Sequence, residues 1–234
     1  CWADYDFSAS VKPMEHLSTP LITADQVCDL RRQLQAEGLP WKDGRLTAGQ
    51  QAASVKRNAQ LDPACALNAS ITEFVIDRLR TNPLTKSYAL IRRVHSLLIS
   101  RFESGDGYGW HVDNPFSKHG RRDLSFTLFL SDKADYSGGE LMIQASQDVS
   151  EVRLDAGDVI LYPSSSLHCV APVSAGVRFA CVGWIESYVK SVEDRALLFH
   201  LDSGSKGLLA RHGRSDELDL IFQAYTNAVR RLAD

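Results

Sequence analysis

The sequence has no long hydrophobic run: nothing approaches the ~18 consecutive apolar residues of a membrane-spanning helix, so no membrane partner is expected. Basic runs are missing too. The densest spots are the pairs Arg92-Arg93 and Arg121-Arg122 in a chain of net charge −3, which argues against nucleic acid as a partner. Cysteine is sparse and unpatterned: Cys1, Cys28, Cys65, Cys169 and Cys181 are odd in number, widely spaced and free of any C-x-x-C. That usage excludes a zinc knuckle or a disulfide framework and fits a cytoplasmic protein. The opening stretch CWADYDFSAS carries neither the basic nor the apolar region of a secretory leader. Internal repeats and low-complexity segments are absent as well.

What is present is an ordinary globular composition, 44% hydrophobic and 24% charged over 234 residues, enough for one large domain or two small ones. Residues 1–85 read as an N-terminal helical segment. There Thr23-Ala24-Asp25-Gln26 forms a capping box ahead of Val27, Leu30 and Leu34, and Gly38 stops the run. A second helix carries Phe74, Val75 and Leu79 and ends before Asn82-Pro83. Between them, WKDGRLTAGQQAASVKRNAQ is polar and irregular, with no core of its own; with Trp41, Lys42, Arg45, Lys56 and Arg57 it either rims a pocket and recognises an anionic small molecule or peptide, or forms a solvated loop. Residues 86–188 change to short β-rich runs such as LSFTLFL, DVILYP and VRFACVGWI, broken by turn signals, which predicts a sandwich or barrel. Residues 189–234 return to helix, with Leu218, Ile221, Phe222, Tyr225, Val229 and Leu232 forming one apolar stripe after Ser215, read as core packing.

Within GYGWHVDNPF, an extended chain points His111 and Asp113 the same way. The tripeptide alone is equally a turn, since Asp113-Asn114-Pro115 opens a loop by local capping and a fixed φ. A third ligand raises the metal reading. His168 lies in a strand followed by Ser174-Ala175-Gly176, a three-residue loop whose last position suits a left-handed glycine. Closing that loop sets Val173 against Val177, Arg178 against Pro172, Cys181 against Cys169 and His168 against Val182. Alternation then points His168, Arg178 and Trp184 into one cavity. An arginine among Val170, Ala180 and Val182 needs an anion, either an internal carboxylate or an anionic ligand held bidentately. Two histidines and one carboxylate leave three positions of an octahedral metal open, the arrangement of non-haem iron(II) oxygenases. His16, His95, His119, His200 and His212 lack partners at ligand spacing and read as surface or packing residues.

The combination resembles the iron(II) and 2-oxoglutarate dependent dioxygenases of the prolyl-hydroxylase type, specifically the PKHD-type hydroxylases. The similarity is carried by Phe102-x-x-Gly105-x-x-Tyr108-x-x-His111-x-Asp113, by SGGELMI, AGDVILYPSSSLHCVAPVSAGVR and GWIES, by DGRLTAGQQAASVKRN upstream and by EDRALLFHLD downstream. It implies an α+β fold with a mainly β core, a double-stranded β-helix (jelly roll, cupin-like) flanked by N- and C-terminal helices. It further implies His111, Asp113 and His168 as catalytic iron ligands and Arg178 as the residue that binds the distal carboxylate of 2-oxoglutarate. Many prolyl hydroxylases have Tyr where this chain has Phe102, so Tyr108 and Tyr162 are the candidates to supply that hydroxyl; Trp184 and Asn114 are candidates for the substrate pocket. The implied reaction hydroxylates a small-molecule or peptide substrate with O2, releases succinate and CO2, and uses ascorbate as reductant. From another class, a cupin-like fold with these ligands serves a metal-dependent non-redox enzyme or a ligand-sensing protein, though neither needs Arg178.

Overall fold

The computed structural model of the protein describes residues 16–144 and 148–234; Cys1 and the stretch inspected for a leader lie outside them. The chain opens with β1 (Leu17–Pro20), α1 (Ala24–Leu34), β2 (Trp41–Asp43), α2 (Gln50–Ala53), β3 (Lys56–Arg57) and β4 (Ala59–Leu61). Helices α3 (Ala66–Thr81) and α4 (Pro83–Ala89) lead into β5 (Ile91–Phe102), β6 (Gly107–His111), β7 (Phe116–Ser117), β8 (Gly120–Arg121) and β9 (Leu124–Phe129). Next come β10 (Tyr136–Gly138), β11 (Leu141–Gln144), β12 (Val149–Val152), β13 (Asp158–Pro163), β14 (His168–Val170), β15 (Val173–Gly176) and β16 (Arg178–Ser187). Helices α5 (Val192–His212) and α6 (Asp216–Leu232) close the chain.

Two antiparallel sheets form the body: a seven-stranded one in the order β1-β13-β9-β16-β5-β4-β2 and a five-stranded one in the order β12-β11-β14-β6-β3. Strand alternation explains how the larger sheet serves two surfaces. Phe126 and Leu128 of β9, Val159 and Leu161 of β13, and Phe179, Cys181 and Ile185 of β16 join the main core with Val27, Leu30 and Leu34 of α1 and Ile71, Val75 and Leu79 of α3. The opposite face carries Phe129, Ile160 and Tyr162, which meet Leu141, Ile143 and Val152 of the smaller sheet. Past this inner cluster the space between the sheets stays open as a cavity of about 820 Å3. In β5 the pairing shifts opposite Gly183, where Ser96 adopts φ 57. This bulge, an extra residue in β5, keeps Val94 and Ile99 on the helix side.

Thr23 caps α1 with the reciprocal bonds of a capping box, as its sequence predicts. Three expectations change. Residues 16–85 are not only helical: β1, β2 and β4 extend the larger sheet and β3 the smaller. The 174–176 loop does not close a hairpin between the strands of His168 and Arg178. Instead β14 pairs with β11 and β6, β15 pairs with β10, and β16 pairs with β5 and β9, so Cys169 and Cys181 are not cross-strand neighbours. Between residues 170 and 178 the chain crosses from one sheet to the other, held where Pro172 O accepts from Gly139 N and Val173 N donates to Asp106 O. Gly176 is left-handed at φ 76, but the reason is close packing: a Cβ there would lie 2.0 Å from the Asp135 carbonyl oxygen. Third, of the α6 stripe only Leu218 is fully buried, the rest lying half-covered in a helix that packs on α5. Cys28, Cys65, Cys169 and Cys181 are free thiols, and no helix among the described residues is long and apolar enough to cross a membrane.

Candidate active site

The smaller sheet places the first two candidate ligands side by side: in the β14–β6 ladder His168 pairs directly with His111, and the two imidazole centroids stand 4.2 Å apart. Strand β6 ends at His111, so Asp113 reaches the same point from the following loop rather than from the strand face. One ligand atom from each of His111, Asp113 and His168 lies within 4.8 Å of the others. Each histidine bonds a carbonyl through Nδ1, His111 to Gly109 O at 2.8 Å and His168 to Ser166 O at 2.9 Å. A carbonyl only accepts, so each Nδ1 carries the proton and each Nε2 keeps a free lone pair for a metal. Burial, with His168 beside it, pushes the His111 pKa down to about 4, which keeps the ring neutral. Asp113 Oδ2 accepts from Ser125 Oγ at 2.6 Å and from Trp184 Nε1 at 2.8 Å, bonds that fix the carboxylate before any ion arrives. The donor set and its orientation fit a divalent iron with open positions.

Arg178 enters the cavity from the opposite wall, on β16. It is 1% exposed, its guanidinium carbon lies 5.3 Å from the Phe102 ring centroid and 5.2 Å from that of Phe129, and Nε and one terminal nitrogen have no hydrogen-bond partner. The Tyr136 hydroxyl stands first among the groups acting on it, and the acid in its surroundings, Glu140, is engaged by Arg153 at 3.6 Å. Such a group waits for an anion, because a buried cation without one costs several kcal/mol. Tyr162 is buried on the same cavity wall, edge-on to His168 at 5.1 Å, with Thr127 and Arg178 near its hydroxyl; burial holds its pKa well above 10. Tyr108 instead stacks on His111 at 3.6 Å, at the metal end.

A family model described as the 2OG-Fe(II) oxygenase superfamily matches residues 97–186. A PKHD-type hydroxylase of Synechococcus sp. strain CC9902 is 66% identical, over 94% of this chain and 99% of that protein. The chain belongs to the PKHD-type hydroxylases. A second member, from Prochlorococcus marinus strain MIT 9313, is 54% identical over 94% of this chain and 99% of its own length. Among solved structures, a Pseudomonas putida prolyl-4-hydroxylase aligns with a TM-score of 0.51 at 18% identity, covering 77% of this chain and 98% of that one. A Trichoplax adhaerens prolyl hydroxylase, solved with a hypoxia inducible factor peptide fragment, gives 0.53 at 17% identity over 81% and 89%. These two show the shared jelly-roll fold. As a PKHD-type hydroxylase the protein is an iron(II) and 2-oxoglutarate dependent dioxygenase, which sets aside the non-redox enzyme and the sensor.

The hydroxylase cavity gathers His111, Asp113, His168, Arg178, Tyr108, Tyr162, Trp184 and Asn114. The shared orientation of His168 and Arg178 survives the corrected topology, because the two strands face each other across the cavity instead of lying side by side. Trp184 lines the cavity with its indole N–H donated to Asp113. Part of the segment 41–60 is cavity wall: Trp41, Lys42, Arg45 and Arg57 are not among the lining residues, whereas Leu46 to Lys56 contribute lining residues, and Lys56, Asn58 and Gln60 are buried polar side chains facing inward. Their signal in the sequence was the alternation K-R-N-A-Q, a strand whose polar residues occupy every second position. Arg122, read only as half of a basic pair, lines the cavity as well.

Proposed function

We propose that His111, Asp113 and His168 hold the iron, and that Arg178 with the Tyr162 hydroxyl holds the distal carboxylate of 2-oxoglutarate. The observation that carries this reading is the fully buried Arg178 guanidinium, with two unpartnered nitrogens, on the same cavity as three converging metal ligands. Tyr162 is the better substitute for the hydroxyl missing at Phe102, because it stands near Arg178 while Tyr108 lies at the metal end. Iron(II) with 2-oxoglutarate and O2 supplies the oxidising equivalents for inserting oxygen into a substrate C–H bond as the keto acid becomes succinate and CO2. The chain's own part is orientation and exclusion of water. Ser125 and Trp184 aim Asp113, the two carbonyls fix the imidazole tautomers, and Phe102 and Phe129 dry the surroundings of Arg178. A cavity of about 820 Å3 exceeds what the cosubstrate fills, leaving room for a small molecule or the side chain of a peptide beside Asn114.

Titration of 2-oxoglutarate into zinc-loaded protein tests the assignment. Tyr162→Phe raises its Kd by ~2- to 12-fold, the loss of one neutral hydrogen bond, and Tyr108→Phe does not. The reverse order would move the supporting hydroxyl to Tyr108.

A further inference from the structure

Two cations in the catalytic cavity have no partner in the assignment above. Lys56 on β3 is 7% exposed; its Nζ donates to Thr47 Oγ1 at 3.1 Å and sits 4.8 Å from the ring centroid of Tyr108, the ring stacked on His111. Arg122 lies over Trp184 at 3.9 Å, the indole bonded to Asp113, and its Nε is buried without a hydrogen-bond partner. Neither has a salt bridge within 4.0 Å among the described residues, and the carboxylate whose field reaches both is Asp113, one of the three candidate metal ligands. They therefore flank the metal ligands, one beside His111 and one beside Asp113. Asn58, inward on the same strand run as Lys56, leaves both amide atoms unpartnered. A divalent iron, the Asp113 carboxylate, doubly charged 2-oxoglutarate and the Arg178 guanidinium cancel one another. The Lys56 ammonium and the half-buried Arg122 guanidinium then add two positive charges, and the one further carboxylate acting on Lys56, Asp43, is itself paired with Arg45, so the cavity favours a further anion. Burial brings the Lys56 pKa down to about 8, offset in part by Asp113 and Asp43, so the ammonium persists at neutral pH.

The mouth of the cavity has the opposite character. Thirteen large hydrophobic side chains are exposed among the described residues, and six of them, Leu46, Val55, Trp110, Val112, Phe116 and Leu167, line this one opening. Scattered single hydrophobics are normal on a surface, but a cluster around a polar interior marks a binding rim.

We propose that the substrate is an amphipathic anion: its carboxylate or phosphate seats between Lys56 and Arg122 beside the iron ligands, and its apolar remainder lies across the rim that includes Trp110 and Phe116. The proposal deepens the hydroxylase reading and rests on it.

The test uses the full chain loaded with zinc and saturating 2-oxoglutarate, with fluorescence of the cavity tryptophans Trp110 and Trp184 following titration by octanoate, octyl phosphate, acetate and octanamide. Octanoate or octyl phosphate binds at least ~10-fold more tightly than octanamide, the worth of a charged hydrogen bond, and than acetate, which lacks the chain; the tighter of the two anions identifies the head group. Lys56→Met and Arg122→Gln each weaken the preferred anion by ~10-fold or more, and Lys56→Arg recovers part. Phe116→Ser weakens octanoate more than acetate. Equal binding of octanoate and octanamide, which needs no variant to measure, would overturn the proposal. So would displacement of 2-oxoglutarate by octanoate, which puts the anion on Arg178, or an equal loss of 2-oxoglutarate affinity in the two variants, which assigns the pair to the cosubstrate. Failure of the wild-type iron enzyme to convert 2-oxoglutarate would instead strike the hydroxylase reading itself.

Discussion

Replacing Arg178 by Met separates a cosubstrate anchor from a structural ion pair, because the two roles predict opposite effects on stability. The guanidinium is wedged between Phe102 and Phe129 with unpartnered nitrogens, so in the ligand-free protein its charge is a burden. A thioether of similar length keeps the contacts with both rings and removes that charge, so the ligand-free Tm of Arg178→Met stays level or rises. Had Arg178 been holding a carboxylate, breaking the pair would cost ~3–5 kcal/mol, a fall of roughly 6–20 °C in a protein of this size. With cosubstrate the order reverses. Losing a charged hydrogen bond of ~1.5–3 kcal/mol raises the Kd for 2-oxoglutarate by ~10- to 150-fold, with the upper end expected for a bidentate contact. Wild-type protein at 100 times its Kd gains ~2.7 kcal/mol from the ligand, and the variant at the same concentration keeps only ~0.3–1.4 kcal/mol of it. Arg178→Lys recovers only part, since an ammonium lacks the planar fork. Thermal unfolding of zinc-loaded protein with and without 2-oxoglutarate reads both quantities. A variant that melts well below wild type in the absence of ligand, yet keeps the full 2-oxoglutarate shift, would refute the reasoning.

Removal of either imidazole, in His111→Ala or His168→Ala, abolishes stoichiometric metal binding by equilibrium dialysis, since two ligands do not retain a labile divalent ion; Asp113→Glu impairs turnover severely because the added methylene displaces an oxygen fixed by Ser125 and Trp184. Retention of metal in either alanine variant contradicts the site. Gly176→Val lowers stability by more than ~2 kcal/mol in chemical denaturation, because a branched side chain at φ 76 also drives its Cβ into the Asp135 carbonyl. An unchanged midpoint would refute that packing. Burial holds the His95 imidazole below its usual 6.5, although Nε2 bonds the Arg121 carbonyl at 2.8 Å. The unfolded chain takes up this proton first, so the stability involved is complete above pH 6.5 and declines as the pH falls below it. His95→Gln flattens that acid limb, and identical slopes for the two proteins would contradict it.

Local chemistry made much of this legible in advance. The Thr23 capping box and the inward run of Arg178, Val182 and Trp184 follow from rules that act over a few residues, whereas Gly176 is left-handed as expected but for a packing reason. The candidate ligands His111, Asp113 and His168 stood out because H-x-D and a later histidine are followed ten residues on by Arg178. Strand pairing was not. A short loop with a glycine looks like a hairpin from sequence alone, and only the competing partners of β14 and β16, present elsewhere in the chain, show that residues 170 to 178 pass between sheets. Alternation toward a common cavity survived this error because facing sheets point inward from both sides. Asn58 and Gln60 carry no mark beyond their alternation, since polar residues in strands normally face solvent, and their burial depends on a cavity built by other strands. Arg122 has no local mark at all; its place over Trp184 comes from tertiary packing.

Succinate formation is the most direct measure of the central claim. Purified protein given iron(II), 2-oxoglutarate, O2 and ascorbate should convert the keto acid slowly to succinate and CO2 in equal amounts even without a substrate. His168→Ala should abolish the conversion, and Arg178→Met should show it only at raised 2-oxoglutarate. No succinate from the wild-type protein under these conditions, or the same amount from His168→Ala, would contradict the account.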